Sequence, residues 1–550
     1  MVDARQFHEE TKHSPESVRA SSHRLNPRTK PRPYKVYRDL ETVAPADPLE
    51  GPGTPALEGI ANREPTPRGG DPAGGEDRPG GDRTDPPLHA LCHYATGITK
   101  TLRRQGQDVP FRAAACTGKL YHVDCYLVTG DCGPAGPGVY HFDPHEDRFD
   151  VLREGDYRGV LAATTGGGTG VDQAPATVVL TSTWWRNAWK YRARAFRHAF
   201  WDSGTILANL LATVHGLGFR AGVVGAFADG PIVDLLGLDP DGEAPLELVP
   251  IGSGRHVADD GANRGGSTGV PPLDPATEPL SPEQVDYPLV PDAWRQGTLA
   301  DGAAAADWRA TVRAADAKAL GRAPPGDGER VPLEAVDAET ASGRPVGATI
   351  ERRGSCREYA RDPINGRRFA TVLDRALRGV PGDWRASASR GGEVEGAGEV
   401  EGAGEVEGAG EARAPGTCVD AYVLVHAVEG IDSGAYQYHP GEAALERVGD
   451  TDRETAGHLA LDQPVVGDAA VNVYLLADVD AIVSHVGNRG YRLAQLEGGI
   501  GLGRLYLATY AHRLLGGRGF TFYDDLVTDH LSPRAANQTP MTLFAFGRPE

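Results

Sequence analysis

Apolar residues recur along this chain at two periods, which predict strands and helices. Alternating or continuous apolar runs predict strands over 120–128, 138–142, 178–180, 246–252, 421–426, 435–439, 471–476 and 541–547. After Tyr191, apolar side chains recur every three, four and seven residues, which predicts a helix with a broad apolar face. These side chains are Phe196, Phe200, Leu207, Leu210, Leu211 and Val214. A further helix is predicted to start near Arg367. Because strands and helices mix without regular βαβ alternation, the fold class is predicted to be α+β.

The segment that carries the long helix occurs twice. Residues 190–197 correspond to residues 485–492 at a constant offset of 295 positions. Matched pairs in the two copies are Arg194 and Arg489, Phe196 and Tyr491, Arg197 and Arg492, Asp202 and Glu497, and Gly204 and Gly499. Each copy is expected to be one helix that stops at a glycine cluster. A repeat of this size predicts two equivalent domains fused in one chain, with the function located where they meet.

Composition divides the chain into two structured blocks and three polar segments. In chain order they are the extension 1–40, the linker 41–87, the block 88–252, the linker 253–340 and the block 341–550. The first linker is rich in Pro, Gly and Asp and is expected to be disordered. The second is acidic and rich in Pro and Gly, with helical pieces expected around 303–320. Repeats of Gly-Glu-Val-Glu-Gly-Ala predict a disordered insertion over 391–412.

The charge balance excludes two classes of partner. The chain has 76 acidic and 56 basic residues and a formal net charge of −20. This field repels nucleic acid and anionic membranes, so neither is expected as a partner. Scarce lysine and dispersed acidity fit a salt-rich, halophilic cytoplasm, with an ordinary acidic protein as the alternative. No apolar run approaches the roughly 18–20 residues of a membrane span, and the N-terminus lacks the apolar core of a signal peptide. We therefore expect a soluble cytoplasmic protein.

Neither cysteines nor histidines predict a metal site. The six cysteines form no CxxC pair, so free thiols in a reducing compartment are favoured over disulfides or zinc binding. His89 and His93 stand four residues apart, a spacing that can hold a metal, but no third ligand is evident in the sequence. A histidine pair in the core or on the surface is therefore favoured, and no metal is expected.

The strongest chemical signal is an arginine-rich turn over 351–359. Arg352, Arg353 and Arg357, together with Ser355, can form an anion clamp, because guanidinium forks match phosphate oxygens and the hydroxyl adds a donor. A solvated charged turn is the alternative interpretation.

Together with three other motifs, this turn resembles the nitroreductase-like flavoenzymes, and within them the tandem-domain SagB/ThcOx-type dehydrogenases. That family has an Arg-Arg-Ser-x-Arg motif, matched here by 352–357 with an inserted glycine. Its Ser-Ala-Gly-x-Leu-Tyr-Pro turn is similar to 116–122, where cysteine replaces the serine. Its Lys-Tyr-x-x-Arg-x-x-Arg motif is matched by 190–197, and its segment past the long helix by 522–525. The resemblance covers both structured blocks.

The resemblance implies two fused nitroreductase-like domains that form an intramolecular pseudo-dimer and bind FMN. The residues it implies for FMN binding are Arg352, Arg353, Ser355, Arg357, Cys116, Thr117, Gly118, Phe522 and Tyr523. Each block lacks one of the two motifs. The first block has residues 88–94 in place of the arginine clamp, and the second has the insertion 391–412 in place of the Leu-Tyr-Pro turn. The surviving parts are complementary, so we expect one competent FMN site at one of two pseudo-equivalent interfaces.

The resemblance also implies an FMN-dependent oxidoreductase that passes hydride to flavin N5. Azoline oxidation to azoles is the family's best-understood reaction, so a peptide or small-molecule substrate and a cyclodehydratase partner are implied. Lys190 and Tyr191 are the implied catalytic residues: a desolvated lysine has a lowered pKa and can take a proton as hydride leaves. Cationic Arg352 or Arg353 would stabilise negative charge near N1. The alternatives are an NAD(P)H-dependent reductase of nitro compounds or quinones, and a flavin-free scaffold in a multiprotein complex.

Overall fold

A computed structural model describes residues 2–45, 49–60, 85–104, 106–252, 269–336, 341–385 and 417–550. The helices are α1 (Ala4–Glu10), α2 (Pro15–Ala20), α3 (Ala56–Gly59), α4 (Leu88–Thr96), α5 (Arg158–Thr165), α6 (Trp184–Tyr191), α7 (Ala195–Gly216), α8 (Asp229–Leu236), α9 (Leu289–Gln296), α10 (Gly302–Ala314), α11 (Val346–Arg352), α12 (Gly366–Ala376), α13 (Arg453–Leu459), α14 (Pro464–Asp468), α15 (Val479–Val486), α16 (Asn488–Ala511) and α17 (Asp524–His530). The strands are β1 (Thr42–Val43), β2 (Ile98–Arg104), β3 (Gln107–Arg112), β4 (Val123–Thr129), β5 (Gly138–Asp143), β6 (Arg148–Glu154), β7 (Ala176–Thr183), β8 (Arg220–Ala221), β9 (Glu243–Gly252), β10 (Arg330–Pro332), β11 (Asp420–Val425), β12 (Gly434–His439), β13 (Ala444–Gly449), β14 (Val471–Ala477), β15 (Gly516–Phe520) and β16 (Thr539–Gly547).

The two halves contain the same sheet. Each is seven-stranded, with the order β1-β6-β5-β4-β7-β9-β8 in the first half and β10-β13-β12-β11-β14-β16-β15 in the second. All neighbouring strands are antiparallel, and β2 and β3 form a separate hairpin. Since β1 matches β10 in position and each following strand matches its counterpart, the α+β fold is a tandem pseudo-dimer.

The long helices α7 and α16 cross at the centre of the molecule and join the halves. Nearly every side chain of both helices is buried, so they are core elements rather than surface helices. Each half also reaches into the other through buried ion pairs at equivalent positions. Arg194 and Arg197 bind Asp524, at 3.0 and 2.6 Å. Arg489 and Arg492 bind Asp229, at 2.6 and 2.8 Å.

Most of the secondary structure predicted from periodicity is confirmed. Each of the eight predicted strands overlaps an observed strand of the sheets, and the helix near Arg367 is α12. The prediction of one continuous helix through 190–197 is wrong, because α6 ends at Tyr191 and α7 begins at Ala195. Arg192 adopts φ +53° at this break, and its counterpart Gly487 adopts φ +71°. The repeat therefore marks a sharp junction between two helices, which lets the chain leave the sheet edge and enter the interface.

The two stretches predicted as linkers contain ordered elements, although disorder was expected for the first; in the second, the helix expected around 303–320 is observed as α10. Within 41–87, β1 pairs with the edge strand β6, and Leu57 of α3 is fully buried. Within 253–340, helices α9 and α10 bury Trp294 and Val312. Few apolar side chains were enough to order these segments, because they pack against elements that are distant in the chain: β1 against β6, and Trp294 against Pro245 O of β9, at 3.0 Å. Residues 61–84 and 253–268, and the predicted insertion 391–412, lie outside the described residues.

Among the described residues, none of the helices combines the length and the apolar character that crossing a membrane requires.

Candidate active site between the two halves

The turn that follows β3 is held in place by one carboxylate. Asp202 of α7 accepts hydrogen bonds from the backbone N–H of Thr117 at 2.9 Å and from its hydroxyl at 2.8 Å. It also accepts from the thiol of Cys116 at 3.0 Å and lies 2.8 Å from Nε2 of His122. Since Asp202 is almost fully buried, these contacts fix the turn against the interface helix.

Gly118 and Tyr191 are complementary in shape. Gly118 has φ +64°, and a Cβ atom added there would lie 2.7 Å from the Tyr191 hydroxyl oxygen. A side chain at position 118 would therefore collide with the tyrosine as well as strain the backbone. Burial raises the pKa of Tyr191, and the neighbouring Asp202 and Cys116 raise it further. Tyr191 thus stays protonated beside the turn at neutral pH.

Lys190 lies next to Tyr191 in a cationic environment. Its ammonium group is 5.0 Å from the centre of the Tyr191 ring and has no hydrogen bond or ion pair with the described residues. Burial lowers the pKa of Lys190, and the positive charges of Arg518 and Lys30 lower it further. Each of these effects favours the neutral amine, the form that accepts a proton.

The arginine clamp of the second half reaches the first half. Arg353 follows α11, and its guanidinium donates to the carbonyl oxygens of Ala113 and Arg112, each at 3.0 Å. This brings it next to the 116–118 turn. Arg352 instead donates to the carbonyl of Arg513 within its own half, at 3.0 Å. The two neighbouring arginines therefore have different surroundings.

Three polar side chains near this interface have no hydrogen bond or ion pair with the described residues. Ser355 and Arg357 are exposed, and Arg518 of β15 is half-buried. Burial lowers the pKa of Arg518, and the charge of Arg357 lowers it further. Arg357 and Arg518 form a positive cluster beside Lys190, without a counter-ion among the described residues. In a chain with a net charge of −20, such a cluster fits an anionic ligand.

Phe522 and Tyr523 lie apart from this cluster. Phe522 is fully buried, with its ring 6.0 Å from that of Trp201. The hydroxyl of Tyr523 donates to Asp462 at 2.8 Å, within the second half. The contacts of both side chains are therefore with the core and with the second half.

Sequence reasoning missed Arg518 and the role of Asp202. Asp202 was visible only as the repeat partner of Glu497, because its function depends on a turn that lies 85 residues away. Arg518 stands within the glycine cluster after the long helix, and its position between glycines was the one available signal.

The pseudo-equivalent interface is closed by the chain itself. Val223, which follows β8, donates from its N–H to Pro381 O at 2.7 Å and accepts from the N–H of Asp383 at 2.9 Å. The Asp383 carboxylate then accepts from the backbone N–H groups of 225–226, at 2.9 and 3.3 Å. The corresponding edge of β15 contacts other groups: Gly517 O accepts from the N–H of Cys356 at 3.2 Å, and the N–H of Gly519 donates to the Tyr506 hydroxyl at 2.7 Å. We call the interface that contains Arg518 and the 116–118 turn the open interface.

Trp384 completes this closure. Its side chain is fully buried, and its indole N–H donates at 3.0 Å to Glu497, the counterpart of Asp202. Where Asp202 holds a turn with glycine at its tip, Glu497 holds a large aromatic side chain. The two interfaces therefore share a fold but differ in their capacity for a ligand.

A small cavity lies behind the turn of the open interface. It is lined by Arg112, Ala115, Cys116, Tyr121 and Asp202, among others, and has a volume of about 10 Å³. This space holds about one water molecule. A larger ligand would therefore lie on the outer side of the turn, beside Lys190 and Arg518.

Comparisons with known proteins agree with this architecture. Residues 136–253 match the model of the Nitroreductase family. A protein of Methanocaldococcus jannaschii assigned to the nitroreductases is 25% identical over 142 residues, which are 26% of this chain and 70% of that protein. The solved structure of a protein from Anabaena variabilis, also assigned to the nitroreductases, covers 100% of both chains with a TM-score of 0.69 and 20% identity.

A component of the E. coli microcin synthetase McbBCD complex, solved with truncated pro-MccB17 bound, covers 45% of this chain and 90% of its own. Its identity is 18% and its TM-score 0.27, a similarity too low to support an inference. The family match lies within the first half, and the fold match extends over both. Residues 136–253 thus match the Nitroreductase family, within a chain whose fold is similar over its whole length to that of the Anabaena variabilis structure.

Proposed function

We propose that this chain binds one FMN at the open interface and acts as an FMN-dependent oxidoreductase. One observation carries the proposal: Arg357 and Arg518 form a positive cluster beside Lys190, without a counter-ion among the described residues. This cluster lies where the two halves meet, because Arg518 of the second half acts on Lys190 of the first. It suits an anionic, phosphate-bearing cofactor.

The residues present fit that cofactor in chemistry. Arg357 and Ser355 are exposed donors suited to a phosphate group, and Arg353 lies on the 112–113 backbone beside them. When bound, FMN would accept two electrons as hydride at N5. Closure of the other interface by Asp383 and Trp384 supports a stoichiometry of one per chain.

Three residues of the first half carry the proposed proton chemistry. Lys190 takes the substrate proton at Nζ, because burial and Arg518 favour its neutral form. Tyr191 stays protonated, and its hydroxyl beside Gly118 orients the proton that Lys190 takes. Asp202 holds the turn in place through Thr117 and acts only as a positioning residue.

The reaction we favour is the SagB/ThcOx-type dehydrogenation of a peptide azoline to an azole. It needs a base beside the site of hydride loss, and the Lys190–Tyr191 pair supplies one. A cyclodehydratase would then supply the substrate. An NAD(P)H-dependent reduction of quinones or nitro compounds would use the same cofactor without this base. A flavin-free scaffold is the alternative favoured by the small cavity behind the turn.

Cofactor stoichiometry on purified, FMN-reconstituted protein tests the proposal. We expect one flavin per chain, and the variants Arg518→Ala and Arg357→Ala should each weaken FMN binding about tenfold or more. Arg548→Ala is the matched control, because Arg548 is an exposed arginine of the same half that is already paired with Asp362. A protein that stays colourless and binds no added FMN would contradict the proposal and leave the flavin-free scaffold as the remaining function. Rapid bleaching of the bound flavin by NADPH alone would favour the reductase.

A further inference from the structure

Two histidines of α4 and one aspartate of the β5–β6 turn form a cluster away from the interface cations. His89 and His93 stand one helical turn apart, with side chains 11% and 13% exposed. Asp147 adopts φ +52° in the turn, and its side chain is 48% exposed. The cluster is therefore semi-enclosed, with the carboxylate on its solvent side.

The distances within this cluster suit a small cation. Nε2 of His89 lies 3.1 Å from both Asp147 carboxylate oxygens, and Nδ1 of His93 lies 3.5 Å from one of them. All three ligand atoms lie within 4.8 Å of one another. Zinc ligands at about 2.0–2.2 Å in tetrahedral geometry are about 3.3 Å apart, so small side-chain shifts would suffice.

We propose that His89, His93 and Asp147 bind one Zn²⁺ ion or a similar divalent cation, with solvent completing the coordination. Imidazole nitrogens and a carboxylate are ligands that zinc prefers, and two histidines four residues apart on a helix share one face. The site links α4 to the β5–β6 turn of the first half. Binding to the folded chain stabilises it by mass action.

A second group of potential ligands, Cys116, His122 and Asp202, is not such a site. Its atoms are also close together, but the Asp202 oxygens already accept from four donors at the turn. A cation there would have to displace the bonds that hold Thr117 in place. Asp147, in contrast, receives only the two histidines among the contacts that the structure gives it.

Zinc titration of tag-free, chelator-treated full-length protein tests the site. By calorimetry, we expect one Zn²⁺ per chain, with Kd weakened at least about tenfold in His93→Gln and in Asp147→Asn. Asparagine tolerates the positive φ at position 147, so the second variant keeps the turn. Zinc should raise the Tm of the wild type and leave that of Asp147→Asn unchanged.

His458→Gln is the matched control. His458 contacts Asp462 at 2.7 Å in the second half. Among the described residues, this pair has no third ligand close enough to form a metal site. This variant should bind zinc as the wild type does. The site is wrong if the wild type binds no zinc at micromolar concentrations, or if both cluster variants bind it with unchanged affinity.

Discussion

Gly204 and Gly499 lie against each other where α7 and α16 cross, at equivalent positions of the repeat. A Cβ atom on Gly204 would lie 2.3 Å from the carbonyl carbon of Gly499, and one on Gly499 would lie 2.4 Å from the carbonyl oxygen of Phe200. The helix backbones approach this closely only because neither position has a side chain. This crossing sets the distance between the halves, and therefore the distance from Arg353 and Arg518 to the 116–118 turn.

We expect Gly204→Ala to destabilise the protein by about 3 kcal/mol, because the added methyl meets backbone that cannot move without separating the helices. Gly230→Ala is the control: Gly230 lies in α8, and an added Cβ meets nothing within 4 Å. It should be neutral or slightly stabilising, since alanine favours the helix. Urea unfolding of both variants measures the difference. A Gly204→Ala stability within 0.5 kcal/mol of the wild type would contradict this account of the crossing.

Asp524→Asn should destabilise the pseudo-dimer by about 3–5 kcal/mol, because it leaves Arg194 and Arg197 buried without their counter-charge. Burial alone would raise the pKa of Asp524, but the two arginines hold it below its ordinary value. The carboxylate therefore contributes full stability above its unfolded pKa of about 3.9, and this contribution is lost as the pH falls through the lower folded pKa.

Unfolding free energies measured between pH 3 and 7 test the sign of this effect. The wild type should lose stability below about pH 4, and Asp524→Asn should lose less over the same range. Asp450→Asn, at a 97% exposed carboxylate, should resemble the wild type throughout. Parallel pH curves for the wild type and Asp524→Asn would show that the ion pairs do not carry the acid sensitivity.

Lys190→Met should keep bound flavin and lower the dehydrogenation rate about 100-fold or more, because it removes the proposed base and leaves Arg357 and Arg518, the proposed phosphate ligands, in place. In the wild type, the rate should rise with pH to a plateau reached below the ordinary lysine pKa of about 10.4, since the pKa of Lys190 is lowered. Lys318→Met, at an exposed lysine, should leave the rate and the profile unchanged. Full activity in Lys190→Met would remove the lysine from the mechanism.

Trp384→Ala should cost about 3–5 kcal/mol of stability without creating a second flavin site. The arginines next to this cavity, Arg309 and Arg313, would stay bound to Asp383, and Gly222 stands where the open interface has Arg518. Asp383 would also keep its bonds to the 223–226 backbone. Flavin stoichiometry and urea unfolding of this variant, compared with the wild type, check both parts. Two flavins per chain would mean that Trp384 alone closes the second interface.

Several features were predictable from local pattern. The duplicated fold was predicted because the matched residues of the two copies, such as Arg194 and Arg489, are all separated by the same number of positions. Equivalent core helices need similar residues at equivalent positions. The break at Arg192 was not predictable, since an arginine gives no local signal for a backbone with φ +53°. Order in β1 and α9 was missed for a related reason: their few apolar residues find partners in distant parts of the chain.

The candidate sites divide in the same way. Motifs identified Arg353, Gly118 and Lys190, and the structure brings the clamp to the turn through Ala113. The motifs did not reveal which of these side chains would form hydrogen bonds or ion pairs with other parts of the protein. The third member of the His89–His93 cluster was also hidden, because Asp147 lies 58 residues away from His89.

The sequence by itself determined that this chain holds two similar halves, eight of their strands with their long helices, and which residues are available for chemistry. Only the tertiary structure decided that one interface is closed by Asp383 and Trp384 while the other keeps unpaired cations. The physical reason is that periodicity reports the burial of one face of an element, a local property. Charge pairing and closure depend on atoms from both halves meeting within about 3 Å, which no local pattern encodes.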